Sequence, residues 1–362
     1  MREWQYYKNL GDVVTIIMGQ SPSSDTYNDK EGLPFFQGNA DFGKEHPTVR
    51  VFCNSPIRIA EPNDILISVR APIGAINIAD RQCCIGRGLA AIRGANSVSN
   101  RFLYFFLTAS KNTLISQGTG STFKSIGKDA LKNLQMPVFN LNEQERIVSE
   151  LDLLAGIIDK QKQQLKELDT LAQSIFYDMF GNPEENTKCW RTEKFQTICT
   201  SLFAGGDVPK DNYSETKSET YNVPILSNGV GDKAVYGYTN KARVFDECIT
   251  ISGRGTIGYC EVRSEPFFPV VRLIVAVPNK DILLPIVLKY IVDSLHLHGV
   301  GVAIPQLTIP MVKNVSIILP SMEMQCLFAK IIQSVESQKE SINRSIAESQ
   351  KLFDYTMDKY FG

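Results

Sequence analysis

The chain has 362 residues, 43% hydrophobic and 21% charged, which is too long for one ordinary domain and gives enough apolar material for two cores. Lys and Arg number 38 against 39 Asp and Glu, a net charge of −1. A module that grips duplex DNA unaided is usually basic, so this balance excludes a self-sufficient polycationic binder. Either the chain does not bind DNA, or partners supply part of the positive surface.

In chain order, residues 1–140 mix short apolar runs with Gly, Pro, Asn and Ser punctuation. Residues 65–69 and 74–79 read as strands, and 99–116 as a helix packed on them. Next, Ile147, Leu151, Leu154, Ile158, Gln161, Leu165, Leu168, Ala172, Ile175 and Met179 step by alternating four and three, with only Gly156 as a breaker. That is the seam of a coiled coil. The pattern then starts again. Residues 248–252 and 258–262 read as strands and 281–297 as a helix. A second seam runs through Phe328, Ile332, Val335, Lys339, Ile342, Ile346, Ser349, Phe353, Thr356 and Tyr360. Each long helix is expected to reach roughly 55 Å at about 1.5 Å per residue.

The chain is therefore written twice. Phe180-Gly181 recurs as Phe361-Gly362, Gly118-x-Gly120 as Gly299-x-Gly301, and Gln144 as Gln325, all at a shift of 181. Trp4 pairs with Trp190, and Ile67-Ser68-Val69-Arg70-Ala71-Pro72-Ile73-Gly74 with Ile251-Ser252-Gly253-Arg254-Gly255-Thr256-Ile257-Gly258. A helix with so narrow an apolar stripe needs a partner. An antiparallel pair within the chain is the preferred arrangement; packing of each helix on its own globule, or homodimerisation, stays open. Gln161, Lys339 and Ser349 interrupt the seam, either to set register or because they are partly wet.

These features together resemble the specificity (S) subunits of type I restriction–modification systems (the HsdS family), over nearly the whole chain. The resemblance is carried by Trp4-(x5)-Leu10-Gly11-Asp12-Val13, Gly19-Gln20-Ser21-Pro22, Gly32-Leu33-Pro34-Phe35-Phe36-Gln37-Gly38 and Asp64-Ile65-Leu66-Ile67-Ser68-Val69-Arg70-Ala71-Pro72-Ile73-Gly74. Cys84-Ile85-Gly86-Arg87-Gly88-Leu89 follows, then Gly118-Thr119-Gly120-Ser121-Thr122-Phe123-Lys124-Ser125-Ile126, Met136-Pro137 and Glu143-Gln144-Glu145-Arg146-Ile147. The second copy is looser, with Ala303-Ile304-Pro305-Gln306-Leu307 replacing Thr-Phe-Lys-Ser-Ile. The resemblance implies an α+β fold: two mixed α/β target-recognition globules, at 1–142 and 182–323, separated by an antiparallel coiled coil of two long helices, at 143–181 and 324–362. It implies that each globule reads one half of a split, asymmetric site in double-stranded DNA, with different half-sites read where the copies diverge, mainly 20–62 and 204–245. It also implies partners: two modification (methyltransferase) subunits using S-adenosylmethionine, and restriction/translocase subunits using ATP and Mg. The chain itself is expected to be non-catalytic and without cofactor. A protein-binding scaffold and a nucleotide-cofactor enzyme are the competing classes.

Gly253-Arg254-Gly255-Thr256-Ile257-Gly258 matches a dinucleotide fingerprint, but that pattern needs a following helix, and strand-like Tyr259-Cys260-Glu261-Val262 follows instead. Phe203-Ala204-Gly205-Gly206-Asp207 is methyltransferase-like only loosely, and no Asn-Pro-Pro-aromatic or Asp-Pro-Pro-aromatic tetrapeptide exists. His296-x-His298 lacks a third ligand at metal-site spacing, and no nucleophile–base pair stands out. Eight scattered cysteines without Cys-x-x-Cys, and no leader segment, predict reduced thiols and a cytoplasmic location. No apolar run approaches the ~20 residues of a membrane span.

Arginine forks match guanine edges and phosphate oxygens. Arg70, Arg87, Arg93, Arg254 and Arg272 lie near glycines or in predicted strand–turn regions, and each is either a DNA contact or an ordinary ion-paired side chain. Both copies keep Arg70 and Arg254, which favours phosphate grip over base reading there. Lys124, Ser121 and Thr122 are further phosphate candidates. Gln37, Asn39, Asn228 and Gln306 are candidate adenine readers through their amides. Phe35 and Phe36 read as core. Leu151, Leu154, Ile158, Leu165, Leu168, Ile332, Val335, Ile342, Ile346 and Phe353 are expected at the helix-pair or partner interface.

Overall fold

The computed structural model describes residues 6–120, 124–299 and 305–362. The chain divides into two compact units, Met1–Lys162 with Arg344–Gly362, and Gln163–Asn343. The divisions fall inside the long helices Leu141–Phe180 and Met322–Phe361, each of 40 residues, so each unit holds part of both.

The first unit is built on a four-stranded antiparallel sheet in the order Val14–Met18, Leu89–Gly94, Ile65–Ser68, Ile76–Ile78. Ile65, Leu66, Ile67 and Ser68 are all buried, which explains why this strand reads as a continuous apolar run rather than an alternating one. A second, five-stranded sheet joins Tyr27–Asn28, Phe52–Cys53, Leu33–Phe36, Cys83–Ile85 and Ile59–Ala60, with Leu33–Phe36 parallel to Cys83–Ile85. Helix Asn100–Ala109 covers the first sheet with Phe102, Leu103, Phe105, Phe106 and Leu107.

The second unit repeats the plan. Its four-stranded sheet runs Cys199–Ala204, Ile274–Pro278, Cys248–Ile251, Cys260–Arg263, and helix Pro285–Ser294 packs on it. Its smaller sheet has three strands, with Val223–Leu226 parallel to Phe268–Pro269. The copies thus differ in the second sheet, five strands against three, to which residues 20–62 contribute four strands and 204–245 two.

In the first unit, Ile147 and Leu151 of the first long helix share a core with Met357 and Tyr360 of the second. The Tyr360 hydroxyl donates to Glu150 at 2.9 Å and the Gln161 amide to Ser345 at 2.7 Å, so the two stretches run in opposite directions there. In the second unit, Lys339 meets Asp169 at 2.8 Å and the Phe180 and Phe328 rings lie 5.3 Å apart, again antiparallel. Leu154, Ile158, Ile332 and Val335 are buried, while Leu165, Leu168, Ile342, Ile346 and Phe353 are half-buried.

A capping box starts the first long helix: Asn140 Oδ1 accepts from the Glu143 amide and Glu143 Oε2 from the Asn140 amide, both at 2.9 Å. Gly181, at φ 76°, ends it, as a left-handed position just past a helix favours glycine. Gln144 and Gln325 do one job in both copies. Each is buried, its carbonyl accepting the Ser99 or Leu284 amide that precedes the covering helix. Its NH2 donates to Ser97 and Phe139 carbonyls, or to those of Ile282 and Pro320. An amide can serve as donor and acceptor at once, which is the reason for Gln at this spot.

Three expectations need adjusting. The helix over 99–116 is broken into Asn100–Ala109 and Lys111–Ser116, with Ser110 Oγ bonded back to the Phe106 carbonyl at the break. The helix over 281–297 begins only at Pro285, whose fixed φ suits a first helical position and whose missing N–H costs nothing there. The strand over 74–79 shortens to Ile76–Ile78 because Gly74, at φ 81°, turns the chain.

Candidate nucleic-acid interface

In the first unit the end of the central strand is held by loops on both sides. The Val69 amide donates to the Gly88 carbonyl at 2.9 Å, Ile126 to Val69 at 2.9 Å, and Ala71 to Lys124 at 3.2 Å. The Gly88 amide donates to Gln37 at 3.2 Å. Those few bonds gather Arg70, Arg87, Lys124 and Gln37, all exposed. A Cβ at Gly88 would lie 2.4 Å from the Gln37 carbonyl oxygen, and one at Gly86 would lie 3.1 Å from the Phe35 ring. Glycines on either side of Arg87 therefore let two backbones close up and push the guanidinium outward. Asn39 lies beside this group, on a 280 Å³ cavity that Tyr27, Phe35, Gln37, Asp41 and Val51 also line. Phe35 and Phe36 are core, as read from the sequence. Ser121 and Thr122 lie outside the described residues.

The second unit gathers Asn228, Arg254, Arg272 and Gln306 in the same way. Gly253 donates to Asn228 Oδ1 at 2.7 Å, Asn228 Nδ2 donates to the Val271 carbonyl at 2.7 Å, and Leu307 donates to the Gly253 carbonyl at 2.9 Å. Arg254 Nη2 donates to Gln306 Oε1 at 3.1 Å, which orients one edge of the guanidinium. Arg254 and Arg272 open onto a 770 Å³ cleft lined also by Asp207, Lys210, Tyr213 and Tyr236. The tyrosine rings stand 5.8 Å apart. Desolvation raises the Tyr213 phenol above its ordinary value, and its hydroxyl donates to the Tyr236 carbonyl at 3.4 Å.

Asn228 does not suit base reading, because both ends of its amide are engaged by backbone. It clamps the Arg254 turn to the Arg272 turn, where Val271 and Arg272 hold positive φ of 53° and 65°. Arg93 is likewise withdrawn: its guanidinium forks onto Asp64, a carboxylate 1% exposed, at 2.7 Å. By contrast, among the described residues no carboxylate lies within ion-pair distance of Arg70, Arg87, Lys124, Arg254 or Arg272. Uncompensated, exposed cations beside aromatic rings and free amides are what a phosphodiester backbone and base edges select. Lys210, Tyr213, Tyr236 and Tyr27 were missed by motif reading; the only sequence signal for them is that they fall in the divergent stretches.

Strand Cys260–Arg263 follows the glycine-rich turn, so a phosphate-cradling helix is not there. His296 and His298 line a 280 Å³ cavity with Asp293, which is itself ion-paired to Lys289 at 2.9 Å. Among the described residues no cluster of His, Cys, Asp or Glu has the arrangement of a metal site. No helix among them is long and apolar enough to cross a membrane.

The family model described as type I restriction modification DNA specificity domain matches residues 1–170 and 188–349. The putative type I restriction enzyme MjaX specificity subunit of Methanocaldococcus jannaschii is 39% identical over 162 residues, 44% of this chain and 38% of that protein. The chain thus spans well under two thirds of that relative. The MjaIX specificity subunit of the same organism is 22% identical over 352 residues, 88% of this chain and 81% of the relative. The crystal structure of a type I restriction–modification S subunit from M. genitalium has the same fold, with a TM-score of 0.59 at 16% identity over 99% of this chain and 96% of that one.

Proposed function

Because the chain belongs to the family of type I restriction–modification DNA specificity domains, we propose that it is the non-catalytic subunit that chooses the DNA sequence for such a complex. Each unit carries one recognition globule, and each globule reads one half of a bipartite, asymmetric site. The observation that carries this reading is the duplicated gathering of unpaired cations at equivalent strand ends: Arg70, Arg87 and Lys124 in one unit, Arg254 and Arg272 in the other.

Arg70 and Arg254 end equivalent central strands, while the sheets beside them differ. Backbone grip is therefore the shared role, and base reading falls to Gln37, Asn39 and Gln306, with Tyr27, Tyr213 and Tyr236 against sugars and bases. The long helices form an antiparallel coiled coil that sets the gap between half-sites. The recognition domains are 1–142 and 182–323, and the helices 143–181 and 324–362. Two modification subunits dock on the chain and bring S-adenosylmethionine; restriction/translocase subunits bring ATP and Mg. The near-neutral charge fits this division, since partners add to the phosphate-binding surface. The complex works in the cytoplasm.

The test is reconstitution. The chain alone should bind DNA weakly and transfer no methyl group, and adding modification subunits should raise affinity and produce adenine methylation at one bipartite motif. Methyl transfer by the chain alone, or no DNA binding by the complex, contradicts the proposal.

A further inference from the structure

Within the first unit, residues 37–48 form one closed loop. Asp41 Oδ2 accepts from the Gln37 amide at 2.8 Å, Thr48 donates to the Asp41 carbonyl at 2.8 Å, and Gly43 donates to His46 at 3.1 Å. One end of this loop bears Gln37 and Asn39. The other end, 43–46, is fastened at several points. The buried Asn77 amide brackets Gly43, donating to its carbonyl at 3.2 Å and accepting its N–H at 3.0 Å. The Ile78 amide donates to the Glu45 carbonyl at 2.8 Å.

Arg101, on the covering helix, then joins three elements. Its Nη1 meets Glu45 at 2.7 Å and its Nε meets Asp152 of the long helix at 2.9 Å. Its guanidinium carbon sits 4.9 Å and 5.2 Å from the Tyr104 and Phe105 ring centroids. Lys44 adds a pair to Asp159, about two turns further along the same helix, at 2.8 Å. The two ion pairs are unequal. Lys44 and Asp159 are 81% and 51% exposed, so that pair contributes little. Arg101 is two thirds shielded, forked on Asp152 and stacked on rings, the geometry in which an ion pair does hold a position. Among the described residues of the second unit, no ion pair joins 204–245 to a long helix.

We propose that Arg101 is a positioning residue: by tying the reading loop to the long helix through Glu45 and Asp152, it sets where the first half-site is read relative to the helix, and so makes the complex strict about spacer length. This rests on the DNA-reading function proposed above. Arg101 touches no base; it acts through the loop that carries Gln37 and Asn39.

The experiment uses the full chain with its modification subunits, selecting from a DNA library randomised in both half-sites and in spacer length. Arg101→Met keeps an apolar stem on the rings and removes the tie. The expected result is unchanged half-site bases, with preference for the native spacer over one longer by a base pair falling about tenfold, the size of a moderate coupling between contacting groups. Glu45→Gln, at a half-exposed side chain, weakens the same tie without threatening the core and should give a smaller loss of about threefold. Hydrogen exchange at the Gly43 and Ile78 amides should quicken in both variants. Equal loss of affinity for all spacers, or spacer preference unchanged while those amides exchange faster, overturns the proposal. Arg101→Lys should restore part of the preference, and failure of that rescue counts against it. A wild-type complex that selects no site at all overturns instead the DNA-reading function, and this proposal with it.

Discussion

Gln161 donates its side-chain amide to Ser345 Oγ at 2.7 Å, between residues 184 apart in sequence, while its own Oε1 is buried with no hydrogen-bond partner among the described residues. The bond is polar, off-centre in an apolar seam, and half-satisfied. We propose that Gln161 thereby fixes the register of the two helices, at a cost in stability. Ser345→Ala, which strands the rest of the amide, should destabilise the chain by about 1 kcal/mol, whereas Gln161→Leu should leave stability unchanged or raise it. Urea unfolding of both variants measures this. A Gln161→Leu chain less stable than Ser345→Ala would show that the amide is a net stabiliser and not a register device.

Arg70→Ala and Arg254→Ala should each weaken DNA binding by the assembled complex without changing the bases selected. Neither guanidinium has a carboxylate partner among the described residues, so each is free to neutralise a phosphate. Losing one phosphate contact should reduce the slope of log affinity against log salt by about one unit. Titration at several salt concentrations tests this. A relaxed base position at unchanged slope would make the arginine a base reader.

Asn228→Ala should harm more than a lost base contact. Both amide ends hold loops that carry Arg254 and Arg272, so the variant loosens two turns at once. The expected cost is about 1–3 kcal/mol in stability, with weaker binding to every sequence. Loss of discrimination at a single base, with an unchanged melting temperature, would return Asn228 to the reading surface.

The repeat, the helix seams and the strand cores were legible because each is a periodic demand of burial: Ile65 to Ile67 are wholly buried, and Leu151 and Ile332 sit in cores. The arginine clusters were legible through their glycine neighbours. The roles within them were not. Arg93 and Arg87 look alike in sequence, yet Asp64, 29 positions from Arg93, occupies the guanidinium of one of them in an ion pair. Asn228 and Gln306 both have free-looking amides, and only the fold shows that the first is engaged by backbone and that the second orients Arg254. Lys210, Tyr213 and Tyr236 belong to no motif; the cleft is made by distant segments meeting.

Burial lifts the Cys83, Cys199 and Cys248 thiols from 9.0 to about 12. A thiol with a raised folded value supports the fold below the unfolded value and withdraws that support as pH rises through the folded one. Stability should therefore fall between pH 9 and 12, read as a declining melting temperature. At pH 8, Cys189 and Cys326, the exposed pair, should react first with a thiol reagent. Rapid labelling of Cys83 or Cys248 would contradict the burial described.

The central claim is that two globules in one chain read two halves of a single site. Methylome sequencing of cells carrying this chain with its modification subunits tests it most directly, comparing the wild type with a variant whose residues 204–245 come from a relative. The wild type should yield one bipartite adenine-methylated motif, absent when the gene is removed. The exchanged chain should keep one half of that motif and its spacer, and change the other half. Methylation unchanged by the exchange, altered in both halves, or persisting without the gene would contradict the account.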